Sequence, residues 1–178
     1  MRVLFIGNSH TYYNDMPALF SSLAKERGIP CEVTMIAHGG WFLSQHVQEP
    51  DVKFNILYGH YDYVVLQEHA HPFGPVEQMT EAMQTLCGWI GKAGSRPVAY
   101  MTWEQQDKGQ DQPVMTAAYE KAARQYNMIL APVGKLWWEK LQKDPSLPLF
   151  GPDGQHASPE GSAFAAQVLL DAIVQDTP

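Results

Sequence analysis

Short apolar runs alternate along the chain with stretches in which apolar residues recur every three or four positions. Continuous apolar runs are typical of strands covered on both faces, whereas the wider spacing is typical of amphipathic helices. We therefore predict strands at 3–6, 31–37, 61–67, 97–102 and 128–132. Helices are predicted at 14–28, 76–92, 113–126 and 158–174, with weaker helical patterns at 44–47, 52–57 and around Trp137 and Trp138. Asn14 or Asp15 is expected to cap the first of these helices, and Ser158, followed by Pro159, the last.

The alternation of strands and helices has no internal repeat and no low-complexity linker. It predicts a single domain over residues 1–178 with an α/β fold, in which helices cover both faces of a parallel sheet in three layers. The strongly β-forming run at 61–67 is expected to be a central strand. Right-handed crossovers bring the C-terminal ends of all strands to one edge, where ligands bind. That edge collects Ser9, the Gly39-Gly40 pair, residues 67–71 and Trp103.

Composition narrows the range of partners. Of the 178 residues, 45% are hydrophobic and 17% are charged, as in an ordinary globular protein, and the formal net charge is −7. Because the chain has no cluster of Lys and Arg, we expect no nucleic-acid partner. A neutral small-molecule substrate is favoured over a polyanion.

Two further features concern the cellular compartment. No segment approaches the ~20 apolar residues that span a bilayer, and the N-terminal apolar run is too short for a signal peptide. We expect a cytoplasmic protein without membrane association, unless a leader has been removed. Cys31 and Cys87 lack a metal-type spacing and are expected to be buried free thiols. The pattern leaves the oligomeric state open.

Ser9 is a candidate nucleophile because it follows the first strand at the ligand-binding edge. A serine hydroxyl needs a general base within hydrogen-bond reach, and that base needs an acid to orient it. Among the seven histidines, His156 is the most informative, because Asp153 lies three residues before it and a turn through Gly154 can bring the two side chains together. His10 is the rival base, but adjacent residues rarely align for proton transfer, so His156 is preferred.

These residues resemble the blocks of the SGNH (GDSL-like) esterases and lipases. The blocks are Gly7-Asn8-Ser9 after the first strand, Gly39-Gly40 after the second, and Asp153-x-x-His156 before the last helix. The resemblance covers nearly the full length, in the expected order and spacing. It implies a three-layer α/β/α sandwich with a five-stranded parallel, flavodoxin-like sheet.

The resemblance also implies a mechanism. Ser9 is then the nucleophile, His156 the base and Asp153 its partner, with the amides of Ser9 and Gly40 contributing to an oxyanion hole. No cofactor and no metal are needed. The expected reaction is the cleavage of a small carboxylic ester, with an O-acetyl group on a carbohydrate as the favoured case.

Two positions depart from the family pattern. Asn8 replaces the acidic residue before the nucleophile, and its expected role is to shape the turn. The third block, normally Gly-x-Asn-Asp, is replaced by Leu66-Gln67-Glu68-His69-Ala70-His71. Some carbohydrate-acetyl esterases of the broader superfamily have a similar block with Gln. We predict that the Gln67 carboxamide supplies the third oxyanion hydrogen bond, with His71 and His69 as alternatives.

The remaining candidates are substrate contacts. They are His10, Trp41, His69, His71 and Trp103, of which the two tryptophans follow strand ends and suit the apolar faces of sugar rings.

Three alternative functions compete with the esterase hypothesis. The pair His69 and His71 could ligate a metal in a metal-assisted hydrolase, although no third ligand has a recognisable spacing. The missing asparagine also allows a catalytically silent scaffold that binds a carbohydrate or a protein. A flavin or nucleotide binder is disfavoured, because the chain has no Gly-x-Gly-x-x-Gly or phosphate-loop pattern.

Overall fold

The computed structural model describes residues 1–176 as strands and helices in alternation. The strands are β1 (Arg2–Gly7), β2 (Glu32–Ala37), β3 (Tyr63–Leu66), β4 (Arg96–Tyr100) and β5 (Ile129–Ala131). The helices are α1 (Ser9–Tyr12), α2 (Met16–Glu26), α3 (Leu43–His46), α4 (Pro50–Tyr58), α5 (Val76–Lys92), α6 (Gln112–Gln125), α7 (Val133–Lys143) and α8 (Pro159–Gln175).

The five strands form one parallel sheet in the order β2-β1-β3-β4-β5. This order confirms the flavodoxin-like α/β prediction and the central position of β3. The direction of strand progression reverses between β1 and β3, and in open parallel sheets a crevice forms at such a point. Ser9 follows β1 and Gln67 follows β3, so both lie at this crevice.

Two hydrophobic clusters cover the two faces of the sheet. Successive residues of β1 alternate between them: Val3 and Phe5 belong to one, Leu4 and Ile6 to the other. The first cluster joins the sheet to α2, α7 and α8, and the second joins it to α3, α4, α5 and α6. All four of these β1 side chains are fully buried, which explains the continuous apolar run.

Helix α8 packs beside α2, which brings the two ends of the chain together. An ion pair between Arg27 and Asp171 joins them, with an N–O distance of 2.7 Å. The start of α8 has the predicted cap: Ser158 Oγ accepts a hydrogen bond from the Gly161 amide at 3.0 Å, and Pro159 takes the first helical position.

The start of α2 differs from the prediction. Neither Asn14 nor Asp15 caps the helix with its side chain. Instead, Asn14 Nδ2 donates to the Ala157 carbonyl and to Ser162 Oγ, both at 2.9 Å. The Asn14 side chain therefore ties the segment after Ser9 to the start of α8, a long-range contact that no local pattern reveals.

Two findings bear on location and thiol chemistry. Among residues 1–176, no helix combines the length and apolar character needed to cross a bilayer. Both cysteines are free thiols; Cys31 is buried as expected, whereas Cys87 is only partly buried.

Candidate active site

The turn from β1 into α1 presents Ser9 at the edge of the sheet. Asn8 Oδ1 accepts a hydrogen bond from the His10 amide at 3.1 Å, and Asn8 Nδ2 donates to the Trp41 carbonyl at 3.0 Å. Asn8 thus shapes this turn, as the sequence argument expects. Gly7 is required because a Cβ atom there would lie only 2.5 Å from Gln67 Oε1.

The loop before α8 presents Asp153 and His156. Asp153 Oδ1 accepts hydrogen bonds from the amides of Gln155 and His156, both at 3.0 Å. Gly154 has a φ of 66°, a conformation that favours glycine, and this lets the loop turn back on itself. The loop therefore orients the aspartate toward the imidazole through its own backbone.

The three side chains form a continuous hydrogen-bonded chain. His156 Nε2 lies 2.8 Å from Ser9 Oγ, and His156 Nδ1 lies 2.6 Å from Asp153 Oδ2. Partial burial tends to raise the pKa of Asp153, but hydrogen bonds from His156 and Gln155 outweigh it and lower the pKa to about 2. The carboxylate is therefore ionised at neutral pH and can hold a proton on His156 Nδ1, which leaves Nε2 to accept the Ser9 proton.

Ser9 opens into a small hollow of about 240 Å³. Its lining residues come from four loops at the edge of the sheet: Asn8, Ser9, His10, Gly40, His69, Ala70, His71, Gln155 and His156. Within residues 1–176, the backbone amides of Ser9 and Gly40 donate no hydrogen bond. Two unpaired N–H groups beside a serine hydroxyl can stabilise a negative oxygen.

Comparison with known proteins identifies structures with the same fold. No protein-family model matches the sequence, and no curated protein matches it significantly. Among solved structures, a protein of Slackia heliotrinireducens assigned to the SGNH hydrolases has 28% sequence identity and a TM-score of 0.86, covering 97% of this chain and 98% of that one. The chain belongs to the SGNH hydrolase superfamily.

More distant solved structures share the fold. One assigned as a GDSL-like lipase of Parabacteroides merdae has a TM-score of 0.75 at 13% identity, covering 96% of this chain and 94% of that one. An acetyl xylan esterase has a TM-score of 0.78 at 18% identity, covering 97% of this chain and 100% of that one.

Gln67, the predicted third oxyanion donor, directs its carboxamide away from the hollow around Ser9. The side chain is fully buried and does not line the hollow. Its Oε1 accepts from the Asn8 amide and from Thr11 Oγ, both at 2.8 Å, while its Nε2 donates to the Glu68 carbonyl at 2.5 Å. The carboxamide faces the turn that carries Ser9 and stabilises it through these hydrogen bonds.

The two histidines of the third block line the hollow, and each has one ring nitrogen paired with a backbone carbonyl. Burial lowers the pKa of His71 to about 4, so its imidazole is neutral at pH 7. Its Nε2 lies 2.9 Å from the Trp103 carbonyl and must carry the proton, which leaves only a lone pair on Nδ1. His69 likewise uses Nδ1 to donate to the Pro72 carbonyl at 3.2 Å.

His10 is a buried neighbour of the catalytic candidates rather than the partner of Ser9. Its ring centre lies 4.9 Å from that of His156 and 4.9 Å from that of His71. Burial, followed by the nearby His71 and His156, lowers the pKa of His10 well below its usual value. The Ser9 hydroxyl pairs with His156, so the geometry favours His156 over His10 as the base.

The two tryptophans expected to contact substrate do not line the hollow. Trp103 is fully buried, because its ring stacks on Trp137 with 4.0 Å between centroids. Its Nε1 donates to the Gln155 carbonyl at 2.9 Å, so it supports the loop before His156. Trp41 is half-buried and packs on His38, with 4.1 Å between ring centroids.

The metal-site alternative finds no third ligand. Among residues 1–176, no group of three His, Cys, Asp or Glu side chains is arranged to hold a metal ion. His69 stacks on Phe42 with 4.3 Å between ring centroids, and His71 is committed to the Trp103 carbonyl.

Two residues near the site make contacts that the sequence does not predict. Tyr13 stacks on the His156 imidazole with 3.9 Å between centroids and an angle of 8°. Glu68 is buried, and its Oε1 accepts from the His69 amide at 2.6 Å and from the Leu43 amide at 3.3 Å. Neither contact has a local sequence signal, although Tyr13 is only four residues beyond Ser9.

Proposed function

We propose that the protein is a serine esterase that cleaves a small carboxylic ester through an acyl-Ser9 intermediate. The single observation that carries the proposal is the hydrogen-bonded chain from Ser9 Oγ through His156 to Asp153, with distances of 2.8 and 2.6 Å. These are the distances needed for proton transfer in the ground state.

Acylation begins when Ser9 Oγ attacks the ester carbonyl carbon and His156 Nε2 takes the hydroxyl proton. The tetrahedral intermediate collapses when the bond from carbon to the alcohol oxygen breaks and His156 returns its proton to that oxygen. The ionised Asp153 stabilises the imidazolium that forms between these two steps. The alcohol leaves, and the acyl group remains on Ser9.

The amides of Ser9 and Gly40 act together as the oxyanion hole in this proposal. Gly40 has a φ of 73°, so glycine suits the turn that brings its amide to the hollow. Preorganised N–H donors of this kind contribute roughly 3 kcal/mol each to transition-state stabilisation. We assign the oxyanion to these two backbone donors, because the Gln67 carboxamide is used elsewhere.

Deacylation repeats the sequence with water. His156 Nε2 removes a proton from the water molecule, whose oxygen attacks the acyl carbon, and the proton is returned to Ser9 Oγ as the acid leaves. No step needs a redox change or an additional co-reactant.

The hollow supports a short acyl group as substrate. Its volume of about 240 Å³ suits a short acyl group, and His10, His69 and His71 are among its lining residues. Structural neighbours include an acetyl xylan esterase and an acetyl esterase. We therefore propose an O-acetyl group on a carbohydrate as the substrate class, with His10, His69 and His71 forming the wall around the acyl group.

Hydrolysis of 4-nitrophenyl acetate tests this function directly. We expect the wild-type protein to release nitrophenol, a Ser9→Ala variant to be inactive, and Ser22→Ala, which changes an exposed serine on α2, to match the wild type. We also expect nitrophenyl octanoate to be a poorer substrate than the acetate. Equal activity of Ser9→Ala and wild type would contradict the proposal, and activity that chelators abolish and metal restores would favour a metal-assisted hydrolase.

A further inference from the structure

A second hollow, the glutamine hollow, adjoins the site on the far side of the Asp153 loop. It has a volume of about 470 Å³ and is lined by Gln105, Gln106, Asp107, Pro152, Asp153, Gly154 and Gln155. The carboxamides of its three glutamines have no hydrogen-bond partner among residues 1–176. Three glutamines whose carboxamides have no partner in this part of the chain therefore line one recess.

The walls of the glutamine hollow are fixed to each other. The Gln106 amide donates to the Gly154 carbonyl at 2.9 Å, and Trp103 Nε1 donates to the Gln155 carbonyl at 2.9 Å. A Cβ atom at Gly154 would lie 3.5 Å from Gln106 Oε1, so the Gln106 side chain lies over the turn. The recess is therefore held in shape by the same loop that orients His156.

The glutamine hollow adjoins the hollow around Ser9. Gln155 lines both of them, and it immediately precedes His156. His156 must protonate the alcohol oxygen as the ester bond breaks, so the alcohol half of the ester lies on the His156 side of Ser9. A leaving group on that side that passes Gln155 reaches the residues of the glutamine hollow.

A more apolar hollow on the other side of the loop is a less suitable route. Its lining includes Tyr13, Phe150 and Pro159, and it shares His156 with the hollow around Ser9. The Tyr13 ring stacks flat on the His156 imidazole with 3.9 Å between centroids, which covers that face of the base. The alcohol half is thereby directed toward the glutamine hollow.

The chemistry of the glutamine hollow indicates its ligand. A carboxamide is both donor and acceptor, as is a hydroxyl group, so three carboxamides match a polyhydroxylated molecule. The ionisable residues in the lining are Asp107 and Asp153, both acidic, and the Asp153 oxygens already accept hydrogen bonds from the loop. Asp107 disfavours an anionic ligand. We propose that the glutamine hollow is the leaving-group subsite and that it selects the ester of a neutral, polyhydroxylated alcohol.

This inference rests on the proposed esterase function, so its test compares two substrates. Steady-state kinetics are measured with a mono-O-acetylated methyl glycoside and with 4-nitrophenyl acetate, whose leaving group has no hydroxyl groups to match. In Gln106→Ala, we expect the KM for the glycoside to rise about tenfold, as for the loss of one hydrogen bond, and the glycoside-to-nitrophenyl ratio of kcat/KM to fall equally. Gln142→Ala, an exposed glutamine on α7, is the matched control and keeps the wild-type ratio.

A second variant tests the selection against charge. We expect the wild-type protein to prefer the glycoside over the corresponding acetylated uronate, and Asp107→Asn to reduce that preference. An unchanged ratio in Gln106→Ala, or a ratio that responds to Phe150→Leu instead, would overturn the leaving-group subsite while leaving the esterase proposal intact. Failure of the wild-type protein to hydrolyse either substrate would overturn both.

Discussion

The Asp153 carboxylate does two tasks at once, because one oxygen accepts the backbone amides of its own loop and the other faces His156 Nδ1. In Asp153→Asn the loop retains an acceptor, but the amide N–H can then face Nδ1. That favours the tautomer with the proton on Nε2, which cannot accept the Ser9 proton. We expect kcat/KM for 4-nitrophenyl acetate to fall about 10³- to 10⁴-fold.

The control for Asp153→Asn is stability, since the exposed side chain carries little packing. An unchanged thermal unfolding midpoint would show that the loss is chemical. Activity within a few fold of wild type would mean that His156 is not oriented by Asp153.

Substitution of Gln67 distinguishes a residue that positions the Ser9 turn from one that contacts the reacting atoms. Gln67→Ala leaves the Asn8 amide and Thr11 Oγ without their acceptor, at a cost of about 1–3 kcal/mol for each buried donor. We expect the free energy of unfolding to fall by roughly 2–4 kcal/mol, together with kcat, because the Ser9 turn loses its support. Urea denaturation and nitrophenyl acetate kinetics on the same samples measure both.

Thr11→Val supplies the matched comparison for Gln67, because it removes one of these hydrogen bonds without touching the hollow. We expect Thr11→Val to lower both the free energy of unfolding and kcat, each by less than Gln67→Ala does. If Gln67→Ala lost kcat at full stability while Thr11→Val had no effect, Gln67 would be a direct oxyanion donor instead.

Individual residues differ in how far sequence alone reveals their roles. Ser9, Asp153 and His156 could be paired from their positions, since each follows or precedes an element whose end lies at the same sheet edge. The direction of the Gln67 carboxamide could not be predicted from the sequence. It depends on two donors of the Ser9 turn, the Asn8 amide and Thr11 Oγ, that need an acceptor. Trp103 was misplaced for a related reason: Trp137, from α7, covers its ring.

At the scale of elements, Glu68 connects the loop after β3 to the start of α3. Its Oε1 accepts amides from both segments, while Oε2 is buried without a partner among the described residues. Burial raises the pKa of Glu68 to about 7 from the ordinary 4.5, which the hydrogen bonds only partly offset. The folded protein therefore binds this proton more tightly than the unfolded chain does.

This linkage predicts a stability profile with a definite sign. The contribution of Glu68 to the free energy of unfolding should be greatest below pH about 4.5. It should fall by on the order of 3 kcal/mol as the pH rises through about 7. Urea denaturation at a series of pH values measures this slope. Glu68→Gln should remove it, whereas Glu77→Gln, an exposed glutamate on α5, should retain it. A slope that persists in Glu68→Gln would assign the effect to another group.

The boundaries of the elements follow from local chemistry where the cap is local. The α5 helix matches its predicted span, and α8 begins at Pro159 after the Ser158 cap. The prediction failed for Asn14, whose side chain is recruited by Ala157 and Ser162 from the other end of the chain. Tertiary packing decides whether such a side chain caps its own helix or binds a distant acceptor. The local sequence pattern carries no information about that packing.

For the whole molecule, the alternation of apolar runs and helical spacing was sufficient to predict a parallel sheet with helices on both faces. The β1 run shows why: every one of its apolar side chains is buried against one layer or the other. The fold then brings Ser9 and His156, 147 residues apart, within 2.8 Å. We propose that this pair performs covalent catalysis.

Covalent labelling with a fluorophosphonate tests whether Ser9 is the nucleophile. At neutral pH, mass spectrometry of the labelled and digested protein should find a single phosphonylated site, on the peptide that contains Ser9. The adduct should be absent from Ser9→Ala and should form much more slowly in His156→Ala, because the hydroxyl then lacks its base. An unlabelled wild-type protein, or a label that persists in Ser9→Ala, would contradict the assignment of Ser9 as the nucleophile.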